Sequence, residues 1–173
     1  MEPIRVGILT VSDSGARGER EDLSGPALRD QVARHLEADV ARQGLVPDEH
    51  RSIAQTLIDW VDAEDLDLIL TTGGTGFAPS DVTPEATGAV IEREAPGLVE
   101  AMRAKGLLDT PYAMLSRATA GIRGRTLIVN LPGAPRAAQE SLEAILPALP
   151  HALTLLAGSS EPEAAHHRHP PQH

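Results

Sequence analysis

The residues best suited to chemistry lie in one stretch, TTGGTGFAPSDVTPEAT, residues 71–87. Glycine permits positive φ and lets backbone N–H groups approach an anion with no Cβ in the way, so Gly73, Gly74 and Gly76 suit a phosphate loop. Two familiar versions of such a loop are excluded. A mononucleotide P-loop needs Gly-Lys-Ser/Thr, and no lysine lies between Thr71 and Thr87. A dinucleotide fingerprint needs another glycine three residues after Gly76, where Pro79 stands. Taken alone, GGTG is more often a plain turn. Asp81 changes that balance, because a bare carboxylate beside an anion site repels phosphate. It is either a turn hydrogen-bonder or has a cation between it and the ligand. Asp48, in VPDEH, invites the same pair of readings, as a helix cap or a cation ligand.

The elements around these residues decide whether they can meet. Residues 5–11 and 126–131 are apolar almost throughout, as in strands buried on both faces, and 66–70 is a shorter run of that kind. Residues 12–25 read as a polar loop. Pro26 opens a helix carrying Leu28, Val32 and Leu36 and ending near Gly44, which leaves Leu45 and Val46 as a short second strand. Asp48 caps a helix with Ile53, Leu57 and Val61 on its apolar face. Thr83-Pro84-Glu85 has a cap, a first-turn proline and a first-turn acid. Further helices start near Pro96 and Pro135, the latter kinked or divided by Pro147 and Pro150, and residues 112–122 are ambiguous. This alternation predicts an α/β fold of three layers, with a mostly parallel central sheet and helices on both faces. Such sheets bind ligands outside the carboxyl ends of their strands. Ser12-Asp13, Asp48, the glycine loop and Asn130-Leu131-Pro132-Gly133 all follow strands, so all belong to that rim.

Composition narrows the ligand. The net charge is −10 and the only aromatic residues are Trp60, Phe77 and Tyr112, which argues against a nucleic-acid partner. With no cysteine, disulfides, thiolate metal sites and thiol nucleophiles are excluded, in keeping with a reducing compartment. No apolar run is long enough for a signal segment or a membrane span, so a cytoplasmic protein is expected. Residues 1–157 are expected to form one domain. From Gly158 the chain turns to SSEPEAAHHRHPPQH, expected as a disordered tail that holds His166, His167, His169 and His173.

GGTGFAPSDVTPEAT (73–87), EAPGLVEAMR (94–103), MLSRATAGIRG (114–124) and TLIVNLPGAP (126–135) together resemble the molybdopterin adenylyltransferase family. That family takes in bacterial MogA- and MoaB-like proteins and the G domains of eukaryotic molybdenum-cofactor proteins. The resemblance runs from about Ile4 to Leu156. It implies a homotrimer, or a hexamer built from two, that transfers AMP from ATP to the terminal phosphate of molybdopterin and releases diphosphate. It also implies a downstream partner that exchanges the adenylyl group for molybdate. On this likeness Asp48 and Asp81 are the catalytic aspartates. Gly73, Gly74, Thr75 and Gly76, with Ser12 and Asp13, form the nucleotide and phosphate site. Ser116, Asn130, Pro132 and Gly133 match molybdopterin-pocket positions. Ser80 departs from the pattern, since many relatives have arginine there; Arg117 and Arg123 are the candidates to supply the missing charge.

The implied chemistry suits the residues. A phosphate monoester is largely dianionic near neutral pH, so the acceptor needs no general base. The obstacle is repulsion between two polyanions, and catalysis must come from charge neutralisation and in-line placement. The two aspartates are therefore better read as Mg²⁺ ligands than as bases, because magnesium takes one or two carboxylates plus substrate phosphates. Two other functions suit the same sequence: a catalytically silent molybdopterin carrier of the MoaB type, and a nucleotide pyrophosphatase of the competence-damage type.

Overall fold

A computed structural model of the chain describes residues 3–158. Four parallel strands form the body of one sheet: β1 (Ile4–Val11), β2 (Ala38–Val46), β3 (Leu68–Thr72) and β6 (Thr126–Leu131). Two short strands, β4 (Arg93–Glu94) and β5 (Ala120–Arg123), extend it antiparallel at the far side, giving the order β2-β1-β3-β6-β5-β4. The helices are α1 (Asp13–Ala16), α2 (Ser24–His35), α3 (His50–Glu64), α4 (Thr83–Val90), α5 (Pro96–Leu107), α6 (Pro135–Ile145) and α7 (Leu149–Leu156), with a 3₁₀ turn at Pro111–Leu115.

Period-two alternation splits the strands between two cores. Val6, Ile8, Leu68, Leu70, Leu127 and Val129 face Leu28, Val32, Met102, Leu142 and Leu149 of α2, α5, α6 and α7. Leu9, Val11, Ile69 and Ile128 face Ile53, Leu57 and Trp60 of α3 and Ala86 and Val90 of α4. The expected three layers are therefore present, with the helices distributed over both faces. The indole of Trp60 lies flat against the sheet because Gly7 and Gly44 leave room; a Cβ at either would come within about 3 Å of the ring.

Three expectations need correction. The helix beginning near Pro26 does not run on to Gly44. It ends at His35, and residues 38–46 form a nine-residue strand. β2 is the sheet's edge, partly exposed along its length, so it tolerates the polar residues of ADVARQGLV that hide a strand from an apolar-run criterion. The 12–25 loop contains α1, and α2 starts two residues before Pro26. The side chain of Asp22 accounts for that earlier start: Oδ1 accepts from the Gly25 N–H at 3.0 Å and Oδ2 from the Thr10 hydroxyl at 2.7 Å. The ambiguous 112–122 segment holds most of the 3₁₀ turn and the first part of β5, while β4 had no signal in its two polar residues. Residues 159–173, expected as the bulk of the tail, lie outside the described residues.

Candidate active site

The parallel strands β1, β2, β3 and β6 all deliver their carboxyl ends to one edge of the sheet, and the rim expected there is assembled at that edge. Ser12 and Asp13 leave β1, Asp48 leaves β2, Gly73 leaves β3, and Pro132 and Gly133 leave β6. Asp13 and Asp48 clasp each other: the Asp13 N–H donates to Asp48 Oδ2 at 2.9 Å, and the Asp48 N–H donates to Asp13 Oδ1 at 2.8 Å. Ser12 caps α1, its hydroxyl accepting from the Gly15 N–H at 3.0 Å. Asp48 does not cap α3; Glu49 holds that position and makes no side-chain cap bond.

The glycine loop wraps between the two aspartates. Gly73 takes φ +106° and Gly74 φ +68°. A Cβ on Gly74 would stand 3.0 Å from Asp48 Oδ1, and one on Gly76 would stand 2.9 Å from Asp81 Oδ2. Each carboxylate thus lies directly against one loop glycine. The loop is fastened below by Gly73 N–H to Leu131 O (3.1 Å) and by the Thr83 hydroxyl to Gly73 O (2.9 Å). Thr83 is not the expected cap: α4 starts with it, and its hydroxyl serves the loop. The N–H groups of Gly74, Thr75 and Gly76 meet no acceptor among the described residues, and they sit beside the positive end of α4.

Asp81 fills the turn role considered for it, since Oδ2 accepts from the Ala78 N–H at 3.0 Å. Its Oδ1, like that of Asp48, has no donor among the described residues. The Asp48 carboxyl is pushed above its ordinary range, chiefly by burial; the Asp13 N–H opposes this, while the nearby charges of Asp13 and Asp81 add to it. No group of three or more acidic or histidine side chains among the described residues could hold a metal ion by itself.

The raised Asp48 pKa has a sign that can be checked. A carboxyl that titrates higher in the folded chain favours folding fully only below the ordinary aspartate value of about 3.9, and that contribution is lost as the pH rises through the raised value. At neutral pH without divalent cations, the ionised group therefore opposes folding. Asp48→Asn keeps an acceptor for the Asp13 N–H. In chelator at pH 7.5 it is expected to raise Tm by about 3 °C, or about 1 kcal/mol once solvent screening of this partly exposed group is allowed for. The gain should vanish below pH 3.5. An unchanged or lower melting point at pH 7.5 would contradict the strain assigned to this charge.

On the other side of the loop lies a cavity of about 310 Å³, walled by α5, the 3₁₀ turn and α6 and reaching Thr75, Gly76, Ser116 and Pro132. The four expected pocket residues therefore separate. Ser116 and Pro132 line the cavity. Asn130 is fully buried beneath it, donating to the Thr71 and Thr87 hydroxyls at 3.0 and 2.9 Å and accepting from the Thr119 N–H at 3.1 Å. All of its amide's directions are taken up inside the fold. Gly133 packs on the loop, where a Cβ would lie 3.2 Å from Gly73 Cα. Met102 and Tyr112 also line the cavity, although neither stands in a motif that singles it out in the sequence. Of the two arginines that could supply the charge absent at Ser80, Arg117 reaches the loop and Arg123 does not, as it ends β5 beside the start of β6, at the opposite end of the sheet, bonded to Val90 O.

The arrangement offers a glycine loop whose N–H groups meet no acceptor, two carboxylates each with an oxygen that meets no donor, both among the described residues, and a cavity that shares the loop as its wall. A family profile described as a probable molybdopterin binding domain matches residues 7–151. The chain is 42% identical over 160 residues to a molybdopterin adenylyltransferase of Helicobacter pylori, covering 92% of this chain and 91% of that one. It is 46% identical over 156 residues to the molybdenum cofactor synthesis protein cinnamon of Drosophila melanogaster, but spans only 26% of that longer protein. The crystal structure of the molybdopterin biosynthesis enzyme MoaB of Thermus thermophilus superposes with a TM-score of 0.85 at 59% identity, covering 90% of this chain and 97% of that one. On its profile match and its full-length relatives, the chain belongs to the probable molybdopterin binding domain family.

Proposed function

We propose that this protein is a molybdopterin adenylyltransferase that transfers AMP from Mg²⁺-bound ATP to the terminal phosphate of molybdopterin and releases diphosphate. The observation that carries the reading is the set of N–H groups at Gly74, Thr75 and Gly76, which meet no acceptor among the described residues, in a loop that borders both aspartates and the cavity. Phosphates placed there would be met by backbone dipoles and the α4 N-terminus rather than by a lysine. Full-length relatives carrying the adenylyltransferase name support the assignment.

The residues divide the work as the geometry suggests. The cavity, within the size range of small-molecule sites, takes the pterin, with Ser116 and Pro132 at its wall. The glycine loop takes phosphates, and Ser12 and Asp13 hold the α1 end of the rim around Asp48. The Oδ1 atoms of Asp48 and Asp81, without donors among the described residues, are the oxygen ligands a hard divalent cation takes, with nucleotide oxygens and water completing its shell. When bound, the cation would offset the negative charge on the two reactants. Aligned by the loop, the acceptor dianion attacks the α-phosphorus and the P–O bond to the diphosphate breaks, with no proton to be removed from the nucleophile.

Residues 1–157 are the working unit of this proposal, located in the cytoplasm. Homotrimer formation, possible doubling to a hexamer and hand-over to a molybdate-inserting protein belong to the same reading. The exposed side chains of Phe77, Leu108 and Tyr112, 68%, 82% and 76% accessible, supply apolar surface for such contacts. No helix among the described residues is long and apolar enough to cross a membrane.

Diphosphate release measured with Mg-ATP, with and without molybdopterin, tests the proposal. Release only with the pterin is expected. Pterin binding without any release would instead identify a carrier, and release that ignores the pterin would identify a nucleotide pyrophosphatase.

A further inference from the structure

Arg117 ties together the glycine loop, the Asp81 turn and the first turn of α4. Its backbone N–H donates to Thr75 O at 2.8 Å. Nε donates to Gly76 O at 2.8 Å, and Nη2 donates to Asp81 O at 2.7 Å. Nη1 pairs with Glu85 in the first turn of α4. One planar fork thus spans the segment from Gly76 to Glu85, and the backbone of the same residue holds Thr75. Its chain neighbours Ser116 and Ala118 both line the cavity, and Ser116 is tied to α5 by Arg103 Nε at 3.2 Å from its carbonyl oxygen.

We propose that Arg117, latched by Glu85, is the positioning residue that fixes the Asp81 turn and the glycine loop against the cavity wall, so that a pterin in the cavity and a metal-bound nucleotide on the loop share one rigid frame. The inference rests on the adenylyltransferase reading and adds to it how the two subsites are held in register. The guanidinium is turned toward carbonyl oxygens and Glu85, so it acts through Asp81 and the loop and not as a phosphate ligand. Lysine offers one point charge and cannot span three acceptors in fixed directions. Asp81 depends on this support. Its own turn supplies only the two bonds with Ala78, whereas Arg117 reaches its carbonyl from outside the turn. Glu85, in turn, is held below its ordinary carboxylate range mainly by its bond to Arg117.

Arg117→Lys, Arg117→Met and Glu85→Gln test the inference, with steady-state kinetics for both substrates, Mn²⁺ binding in the presence of ATP followed by electron paramagnetic resonance, and Tm. Both Arg117 variants are expected to lose about 10²-fold in kcat, the scale of a misplaced catalytic group. The KM for ATP should move less than threefold, and ternary Mn²⁺ affinity should fall about tenfold. Glu85→Gln, at an exposed pair, is expected to give the same pattern more weakly with Tm unchanged. Lysine at 117 that preserves kcat and Mn²⁺ affinity would overturn the inference, as would a raised KM for ATP with kcat intact, the sign of a direct phosphate ligand. Should the unaltered protein release no diphosphate, the adenylyltransferase reading fails by itself. Mn²⁺ affinity in the variants would still decide whether Arg117 positions Asp81.

Discussion

Asp81→Ala is expected to lower turnover about 10³-fold, about 4 kcal/mol of transition-state stabilisation, while the protein stays folded and still binds molybdopterin. The difficulty in testing Asp81 is that it has two jobs in the structure. Oδ2 accepts from the Ala78 N–H and shapes the turn, while Oδ1 has no donor among the described residues. Alanine removes both, so the decisive comparison is Asp81→Asn. Asparagine keeps an oxygen for the Ala78 N–H and removes the charge. If the carboxylate holds a cation, asparagine should be nearly as inactive as alanine and should melt close to the unaltered protein. If the side chain serves only the turn, asparagine should be nearly fully active. Diphosphate release at saturating Mg²⁺, read beside Tm for the two variants, separates these outcomes; near-normal turnover of Asp81→Asn would remove Asp81 from the mechanism.

Gly73→Ala is expected to cost about 3 kcal/mol of stability, about 9 °C in Tm for a chain of this length. Two independent effects add at this position. The backbone has φ +106°, a region that L side chains rarely adopt, and a Cβ would overlap the Val11 carbonyl oxygen at the end of β1. That obstacle is backbone, which cannot rotate aside as a side chain would. The loop cannot shift to relieve it either, because Gly73 bonds Leu131 on one side and accepts from Thr83 on the other. Gly88 is the control. It lies on the exposed face of α4, where an added methyl would meet nothing within 4 Å, so Gly88→Ala should be neutral or stabilising by up to about 1 kcal/mol. Thermal melts of the two variants check the pair, and equal melting points would show that the loop is softer than its contacts imply.

Legibility varied from element to element, for physical reasons. The buried strands β1, β3 and β6 announced themselves because a strand covered on both faces must be apolar at nearly every position. β2 lay hidden in what looked like a helix extension, because an edge strand has no such requirement. The helix that follows the loop is legible in Pro84 and Glu85, but the bond of Thr83 is not: a cap hydroxyl and one reaching ten residues back to Gly73 are identical in sequence. The family likeness places Asn130 at a molybdopterin-pocket position; only packing shows that Thr71, Thr87 and Thr119 bond its amide.

By itself the sequence determined which residues could reach one rim. Apolar strands separated by helices force parallel pairing, and parallel pairing sends every carboxyl end the same way. It also determined that the loop would be glycine-built and lysine-free, flanked by acids. The tertiary structure alone decided how those residues divide: Asp48 against Gly74, Asp81 against Gly76, Ser116 and Pro132 to a cavity walled in part by the loop, Asn130 into the buried interior, and Arg117 onto the loop and the Asp81 turn. These allocations depend on contacts between residues 36 to 60 positions apart, such as Arg117 with Asp81 and Thr72 with Pro132, and local spacing carries no record of which direction a side chain takes once distant strands have met.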